Sequence, residues 1–325
     1  VLDYKGRSFE VRADQFVVAA GAIESSRLLL ASAHVPNEYD QLGRFFHDHL
    51  SLHAAVLPRA ARGRIFDRLG PFFVNGVLHT CRMEATSELQ REQGLLAVMA
   101  HIVVQEPEDS GIEAVRNLLV SIQRGNLPNG FTRNLVPMLR GSSDVLRLLW
   151  FSKALGRRAV SMRAVVRLKI EMEQAATASN RIRLSDNLDA LGLRKAIVDW
   201  RVGDAEYATV RRFARIIKQK LEAAGFAALD WTPGLLEGLR PALVDSYHSM
   251  GGLRMGVNPA TSVVDTNLKV HGVKNLYVVS CAVYPSGGSS NPTFTLMALA
   301  MRLGDHLRSM VAGSARHAVN ESLLV

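Results

Sequence analysis

The chain has 325 residues, 48% of them apolar, and carries a formal charge of +9 from 39 Lys and Arg against 30 Asp and Glu. That length buries a large core and allows one large domain or two. The positive charges are spread out and build no dense basic block, which argues against a nucleic-acid partner, and no run of about 18 uncharged apolar residues is present, which argues against a spanning helix.

Residues 1–12 alternate around Lys5-Gly6 as a strand-turn-strand, a pattern unlike a signal peptide. The chain opens on Val1 as if inside a sheet, so it is expected to be a piece or one half of a longer protein. Gln15-Phe-Val-Val-Ala-Ala-Gly21 is a short apolar run, the pattern of a strand buried on both faces. Ile23–Ser32 follows with helical spacing, and in a doubly wound sheet ligands sit beyond such strand ends. In Gly43-Arg-Phe-Phe-His47-Asp48-His49 two histidines flank an acid. A single element supplies both and no third ligand has matching spacing, so a polar turn at a domain crossover is expected and no metal site.

From about residue 50 to 245 the character changes. Leu50–Pro58, Gly94–Gln105 and Met162–Gln174 read as strands, and Ser110–Ile122 and Asn134–Leu155 as helices. In Met162–Gln174, Val165, Val166, Leu168 and Ile170 stand against Arg163, Arg167, Lys169 and Glu171. Arg181–Leu184 and Lys195–Trp200 look like a strand pair around Ser185–Asp189. Asp204–Ala224 is an amphipathic helix closed by Gly225. Pro58–Phe73 and Arg124–Thr132 read as mobile surface loops. Strands and helices in irregular order predict an antiparallel α+β domain.

Three basic clusters stand out: Arg59-Ala-Ala-Arg62-Gly-Arg64, Arg157-Arg158, and Arg211-Arg212 with Arg215. Two lie near or on expected helices, where a solvated face is the simplest reading. Cys81 and Cys281 have no metal-ligand spacing and imply no disulfide framework.

Beyond 246 the chain returns to α/β type. A short strand, Asn275–Ser280, precedes a Gly/Ser/Pro-rich loop, and Thr293–Met310 runs as an apolar helix with Leu296, Ala300, Leu303 and Leu307 on one face. Tyr247-His248-Ser-Met-Gly-Gly252 lies upstream of Asn291-Pro292-Thr293 at the head of that helix. Alcohol oxidation needs a group to take the hydroxyl proton, and a neutral imidazole suits this near pH 7. A second side chain must hold the oxygen, and Asn291 can both donate and accept. Hydride needs a cofactor as acceptor. A helix N-terminus favours the negative charge that develops on such a cofactor, and Pro292 suits the first turn. A lone His before two glycines is more often structural; the specificity lies in the ordered combination.

That combination resembles the glucose–methanol–choline (GMC) flavin oxidoreductases. The likeness runs through His248-Ser-Met-Gly-Gly-Leu-Arg-Met-Gly256, Ser262-Val-Val-Asp265, Val270–Ser280, Pro285 and Gly287-Gly-Ser-Ser-Asn-Pro-Thr293. A second match is Gly21-Ala-Ile-Glu-Ser-Ser-Arg-Leu-Leu-Leu30, although Ala33-His-Val-Pro36 follows where the family continues Ser-Gly-x-Gly. Gly43-Arg44 with Asp48-His49 looks like the family's crossover into its substrate domain. The resemblance implies FAD as cofactor, a small alcohol, polyol or sugar as substrate, His248 as base and Asn291 as its partner. It sets the Asn291-Pro292-Thr293 main chain at the flavin's pyrimidine end, Ser280, Cys281 and Ala282 at its ribityl or pyrophosphate part, and Ala20, Gly21 and Ala22 near its ADP portion. Where many relatives carry an Asp at the Ser280–Ala282 triplet, this chain has none. It also implies a fold of α/β plus α+β type: a partial FAD-binding, Rossmann-like domain (1–49 and 246–325) with an inserted antiparallel-sheet substrate domain (50–245). The Gly-x-Gly-x-x-Gly unit that opens the family is not in this sequence, so the N-terminal FAD-binding half is expected upstream or on another polypeptide. A non-catalytic fragment or subunit is the alternative reading.

Overall fold

A computed structural model of the protein describes residues 10–125, 141–154, 156–226 and 228–322. The Lys5-Gly6 turn and most of the Arg124–Thr132 loop lie outside the described residues. The chain divides into two compact units, one made of Val1–Leu50, Glu173–Glu206 and Asp245–Val325, the other of Ser51–Met172 and Tyr207–Val244. The fold is mixed α/β with antiparallel sheets.

In the first unit, strand β1 (Phe16–Val18) leads into helix α1 (Gly21–Ala31). The expected two-sided burial of β1 is not what forms. Phe16 and Val17 are exposed, because β1 has one sheet partner among the described residues, the late strand Leu276–Val278, and packs on the core only through Val18. The two strands run parallel, with Phe16 opposite Leu276 and Val18 opposite Val278. Their carboxyl ends therefore lie side by side, one feeding α1 and the other the 3-10 turn Cys281–Val283.

The second unit is organised on a sheet of β2 (His49–Val56), β5 (Arg82–Glu84), β6 (Val98–Gln105), β7 (Val165–Glu173) and β10 (Asp230–Trp231), with β11 (Val244–Asp245) also on β2; β3 (Phe72–Val74) and β4 (Val77–His79) form a separate hairpin. β6 and β7 are antiparallel, and Val98, Ala100 and Ile102 lie opposite Met172, Ile170 and Leu168. All six are buried, so one face of the pair is core, as the alternation in the sequence predicts. The opposite face carries His101, Lys169 and Glu171, with Lys169 Nζ donating to Glu171 Oε1 at 2.6 Å.

The expected loop over Pro58–Phe73 is instead mostly helix α2 (Arg59–Leu69). Ala61 and Ile65, one turn apart, are its buried stripe, and that stripe is too narrow to stand out among the surrounding arginines. α3 (Ser87–Gln93) starts on a Thr86 cap, and α4 (Gly111–Gln123) starts where the Ser110 hydroxyl accepts the Glu113 N–H at 3.1 Å, an N-cap of the expected kind. α5 is Ser142–Ala154, so residues 134–140 of the expected helix lie outside the described residues.

The hairpin β8 (Arg181–Leu188) and β9 (Arg194–Asp199) turns at Asp189–Leu193, later than the expected Ser185–Asp189, after a register shift between Leu184 and Leu188. It lies in the first unit, whereas the sequence pattern groups it with the central region. Arg27 on α1 holds it there, donating to Asp189 Oδ2 at 2.5 Å and to the Arg194 carbonyl at 2.7 Å. Arg181 grips Asp40 through two contacts, and with Arg44 it holds the Asp40 carboxyl down at about 2. α6 (Asp204–Ala223) closes on Gly225, in the left-handed region at φ +74°.

β12 (Leu276–Val278) is followed by α7 (Thr293–Ser322). The inward face of α7 is Leu296, Leu299, Leu303 and Leu307, packed with Leu29, Met250, Tyr277 and Val283. Ala300, expected on that face, is exposed; Leu299 is the residue that joins Leu296 and Leu303 there.

Candidate functional site

His248 sits in a loop that is pinned from below by Asp48. The buried Asp48 carboxylate accepts the His248 backbone N–H at 2.9 Å, the Ser249 hydroxyl at 3.3 Å and, more weakly, the Ser246 N–H at 3.4 Å. Asp48 is itself placed by its own N–H, which donates to Gln174 Oε1 at 3.1 Å; the Trp200 indole donates to the same oxygen at 2.6 Å. The loop continues through a tight two-way bridge, His47 N–H to Met250 O and Met250 N–H to His47 O. Tyr247, immediately before His248, is held at φ +58°, a strained value for a tyrosine.

Two glycines make this approach possible. A Cβ on Gly251 (φ +74°) would fall 2.0 Å from the Phe45 carbonyl oxygen and 2.8 Å from His47 Nδ1. A Cβ on Gly252 (φ +97°) would fall 2.4 Å from the Ser26 hydroxyl. The Gly-Gly pair is therefore a requirement of packing the histidine loop against residues 45–47 and α1.

The segment expected to be a polar turn proves to be interior. His47, Asp48 and His49 are all buried, and His49 meets His248 with Nδ1 to Nδ1 at 3.0 Å and the rings edge to face. His49 Nε2 faces the Gly287 carbonyl at 3.4 Å. Burial first, and the neighbouring His248 after it, pushes the His49 pKa below 6.5. Burial pushes His47 down as well; its Nδ1 meets the Phe45 carbonyl at 2.8 Å. A carbonyl only accepts, so a neutral His49 with its proton on Nε2 would satisfy Gly287 and offer the Nδ1 lone pair. In that tautomer His248 would donate Nδ1–H into it and keep a lone pair on Nε2. The arrangement can take a proton at that atom.

The glycine-rich loop is fixed on the same unit. Gly287 N–H donates to Glu173 Oε1 at 3.0 Å, and a Cβ on Gly287 would press on Met250 and His49. Buried Tyr284, its phenol pushed up to about 12 by burial, donates to the Pro292 carbonyl at 2.7 Å and so anchors the head of α7. Asn291 and Thr293 are exposed there, and no hydrogen bond joins Asn291 to His248 among the described residues. Ala20 and Gly21 are exposed at the end of β1, while Ala22, Ser280 and Ala282 are buried and Cys281 is half-buried. The Ser280 hydroxyl accepts the Ala282 N–H at 3.2 Å, and burial raises the Cys281 thiol. His248, Ser280–Ala282 and the head of α7 thus belong to one unit with the β1–α1 turn. His49 and Asp48 are the neighbours that sequence reasoning misses as site residues; their signal is the Gly43–His49 segment itself, which carries its polar residues into a buried stretch.

In α/β sheets ligands are commonly held beyond the carboxyl ends of parallel strands, the position that the two helical turns occupy here. Comparison with known proteins shows what the chain resembles. Residues 176–300 match the family model described as GMC oxidoreductase. It is 25% identical over 303 residues to paromamine 6'-oxidase of Streptomyces fradiae, covering 93% of this chain and 47% of that protein. It is 26% identical over 314 residues to the fructose dehydrogenase large subunit of Gluconobacter japonicus, covering 92% and 48%. The crystal structure of pyridoxine 4-oxidase from Mesorbium loti shares the fold with a TM-score of 0.51 at 17% identity, over 92% of this chain and 52% of that one. The chain spans about half the length of the curated relatives it matches. No helix among the described residues is long and apolar enough to cross a membrane.

Proposed function

We propose that this chain carries the proton-handling wall of an FAD-dependent oxidoreductase acting on a CH–OH group of a small alcohol, polyol or sugar. The observation that carries the reading is the His49–His248 contact, held by Asp48 and set beside the Gly287 loop. Relatives named for fructose and paromamine support a sugar-like or polyol hydroxyl.

The residues present fit a flavin. The α7 head offers main-chain N–H groups around an exposed Asn291 and Thr293, and the β1 end offers small exposed residues where backbone can approach closely. On this reading the β1–α1 and β12 segments are part of a Rossmann-like domain. The main chain of Ala20, Gly21 and Ala22 and of Ser280, Cys281 and Ala282 holds the nucleotide side, and Asn291, Pro292 and Thr293 hold the ring side. The bound FAD supplies the hydride acceptor, a role no side chain performs. His248 Nε2 takes the hydroxyl proton. Asn291 holds the substrate oxygen. His49 is a positioning residue: it fixes the His248 tautomer and shares the positive charge once the proton has moved.

In the FAD-loaded protein, offered a panel of sugars and polyols, His248→Ala slows flavin reduction by roughly 10²–10⁴-fold. His49→Leu, which keeps bulk and removes the acceptor, slows it by on the order of 10–100-fold. Rapid-mixing rates unchanged by His248→Ala sink the reading.

A second reading has its own observation. Phe294, Met297 and Met301 lie on one face of α7 and are 83%, 59% and 72% exposed. An apolar stripe of this kind marks a covered surface. On this reading a further polypeptide segment covers the stripe and completes the FAD site, and the 325-residue chain alone is not an enzyme. A stoichiometric flavin band in the visible spectrum of the chain expressed alone refutes it.

A further inference from the structure

Two of the three basic clusters meet in the second unit. Arg59 and Arg62, on the first turn of α2, and Arg157 and Arg158, which follow α5, line one cavity of about 530 Å³. Its apolar wall includes Phe66, Phe151, Met162 and Val166. A cavity of that size takes a ligand of drug-like dimensions.

The four arginines are held differently. Arg157 donates from Nη1 to the Phe66 carbonyl at 3.0 Å and is tied to the end of α2. Arg62 makes one long contact, to the Leu57 carbonyl at 3.4 Å. Arg59 and Arg158 have no hydrogen bond from their guanidinium groups among the described residues, and none of the four makes an ion pair within 4.0 Å there. Asp67 is the single carboxylate among the lining residues described. Burial lowers the Arg158 pKa, against a partly offsetting attraction from Glu106. Burial also lowers that of Arg62, and the charge of Arg59 adds to it. Arg59 and Arg62 are three residues apart on one helix face, where like charges repel. Arg62 and Arg158 are half-buried cations with no ion pair among the described residues, which is unfavourable, and a bound anion lessens that penalty. Guanidinium forks match carboxylate and phosphate oxygens, while the aromatic and aliphatic wall favours a hydrocarbon body.

We propose that this cavity binds an amphipathic organic anion, its phosphate or carboxylate head against Arg59, Arg62 and Arg158 and its apolar tail against Phe66, Phe151 and Met162. The site lies wholly in the second unit and does not rest on the flavin reading.

Titration calorimetry of the full chain with decyl phosphate, kept below its micelle concentration, tests this. The expected result is one saturable site, with inorganic phosphate weaker and decanol weaker still, each by tenfold or more. Arg59→Gln with Arg62→Gln weakens decyl phosphate by on the order of tenfold or more, and raising the salt weakens it further. Phe66→Ala weakens decyl phosphate and leaves inorganic phosphate unchanged. Should the double variant fail to fold, Arg59→Gln alone, at an exposed position, gives the same reading at smaller amplitude. Equal binding of decanol and decyl phosphate, a folded arginine variant that binds as tightly as the parent, or no saturable binding of decyl phosphate overturns the proposal.

Discussion

Replacing Asp48 by Ala removes three acceptor contacts from the loop that carries His248. One, to the His248 N–H at 2.9 Å, is a full charge-assisted hydrogen bond; those at 3.3 and 3.4 Å count for less. A charge-assisted bond contributes about 1.5–3 kcal/mol, and leaving the buried donors unpaired adds about 1–3 kcal/mol. Asp48→Ala is therefore expected to destabilise the first unit by about 3–5 kcal/mol. Asp48→Asn keeps an oxygen for the His248 N–H and places an amino group by the Ser249 hydroxyl, which can accept from it. Its loss is the difference between a charged and a neutral bond, about 1 kcal/mol. Urea unfolding of the full chain, followed by circular dichroism with slopes compared between variants, measures both. Equal destabilisation by the two substitutions refutes the argument. So does an Asp48→Ala variant within about 1 kcal/mol of the parent, since the His47–Met250 bridge would then hold the loop by itself.

Gly251→Ala places a methyl 2.0 Å from the Phe45 oxygen at φ +74°. Left-handed strain of about 1–2 kcal/mol and disruption of the adjoining backbone bridge lower stability by about 2–4 kcal/mol in the same unfolding assay, whereas alanine at the open position Gly21 (φ +77°) shows the strain alone. His47, His49 and His101 all have pKa values lowered from 6.5, in each case chiefly by burial. Their neutral forms favour the folded state, so this contribution is fully present above 6.5 and is lost as pH falls through the lowered folded values. Urea midpoints should therefore drop between pH 7.5 and pH 5, and His47→Gln should reduce the slope of that drop; a midpoint flat over this range counts against buried neutral histidines.

Much of the fold is local and could be read directly. The alternation in β7, the amphipathic α6 with its Gly225 stop, and the Ser110–Glu113 start of α4 each depend on neighbours within a turn or two of sequence. Where the reading failed, the deciding partner was remote or the stripe was narrow. β1 looked doubly buried because apolar content does not reveal how many neighbours a strand has. α2 looked like a loop because two buried residues are a faint signal among charges. The hairpin register moved because a bulge in β8 postponed the turn.

The candidate site divides in the same way. By itself the sequence determined the order of the motifs, from the β1–α1 turn through His248-Ser-Met-Gly-Gly to Asn291-Pro292-Thr293, and with it the family resemblance. Tertiary structure alone decided that His49 meets His248 across 199 residues, that Asp48 holds the loop, and that arginines on α2 and after α5 share one cavity. The physical reason is that periodicity and capping encode which face of an element is buried. Which two faces come to meet is set by strand pairing and close packing over the whole chain.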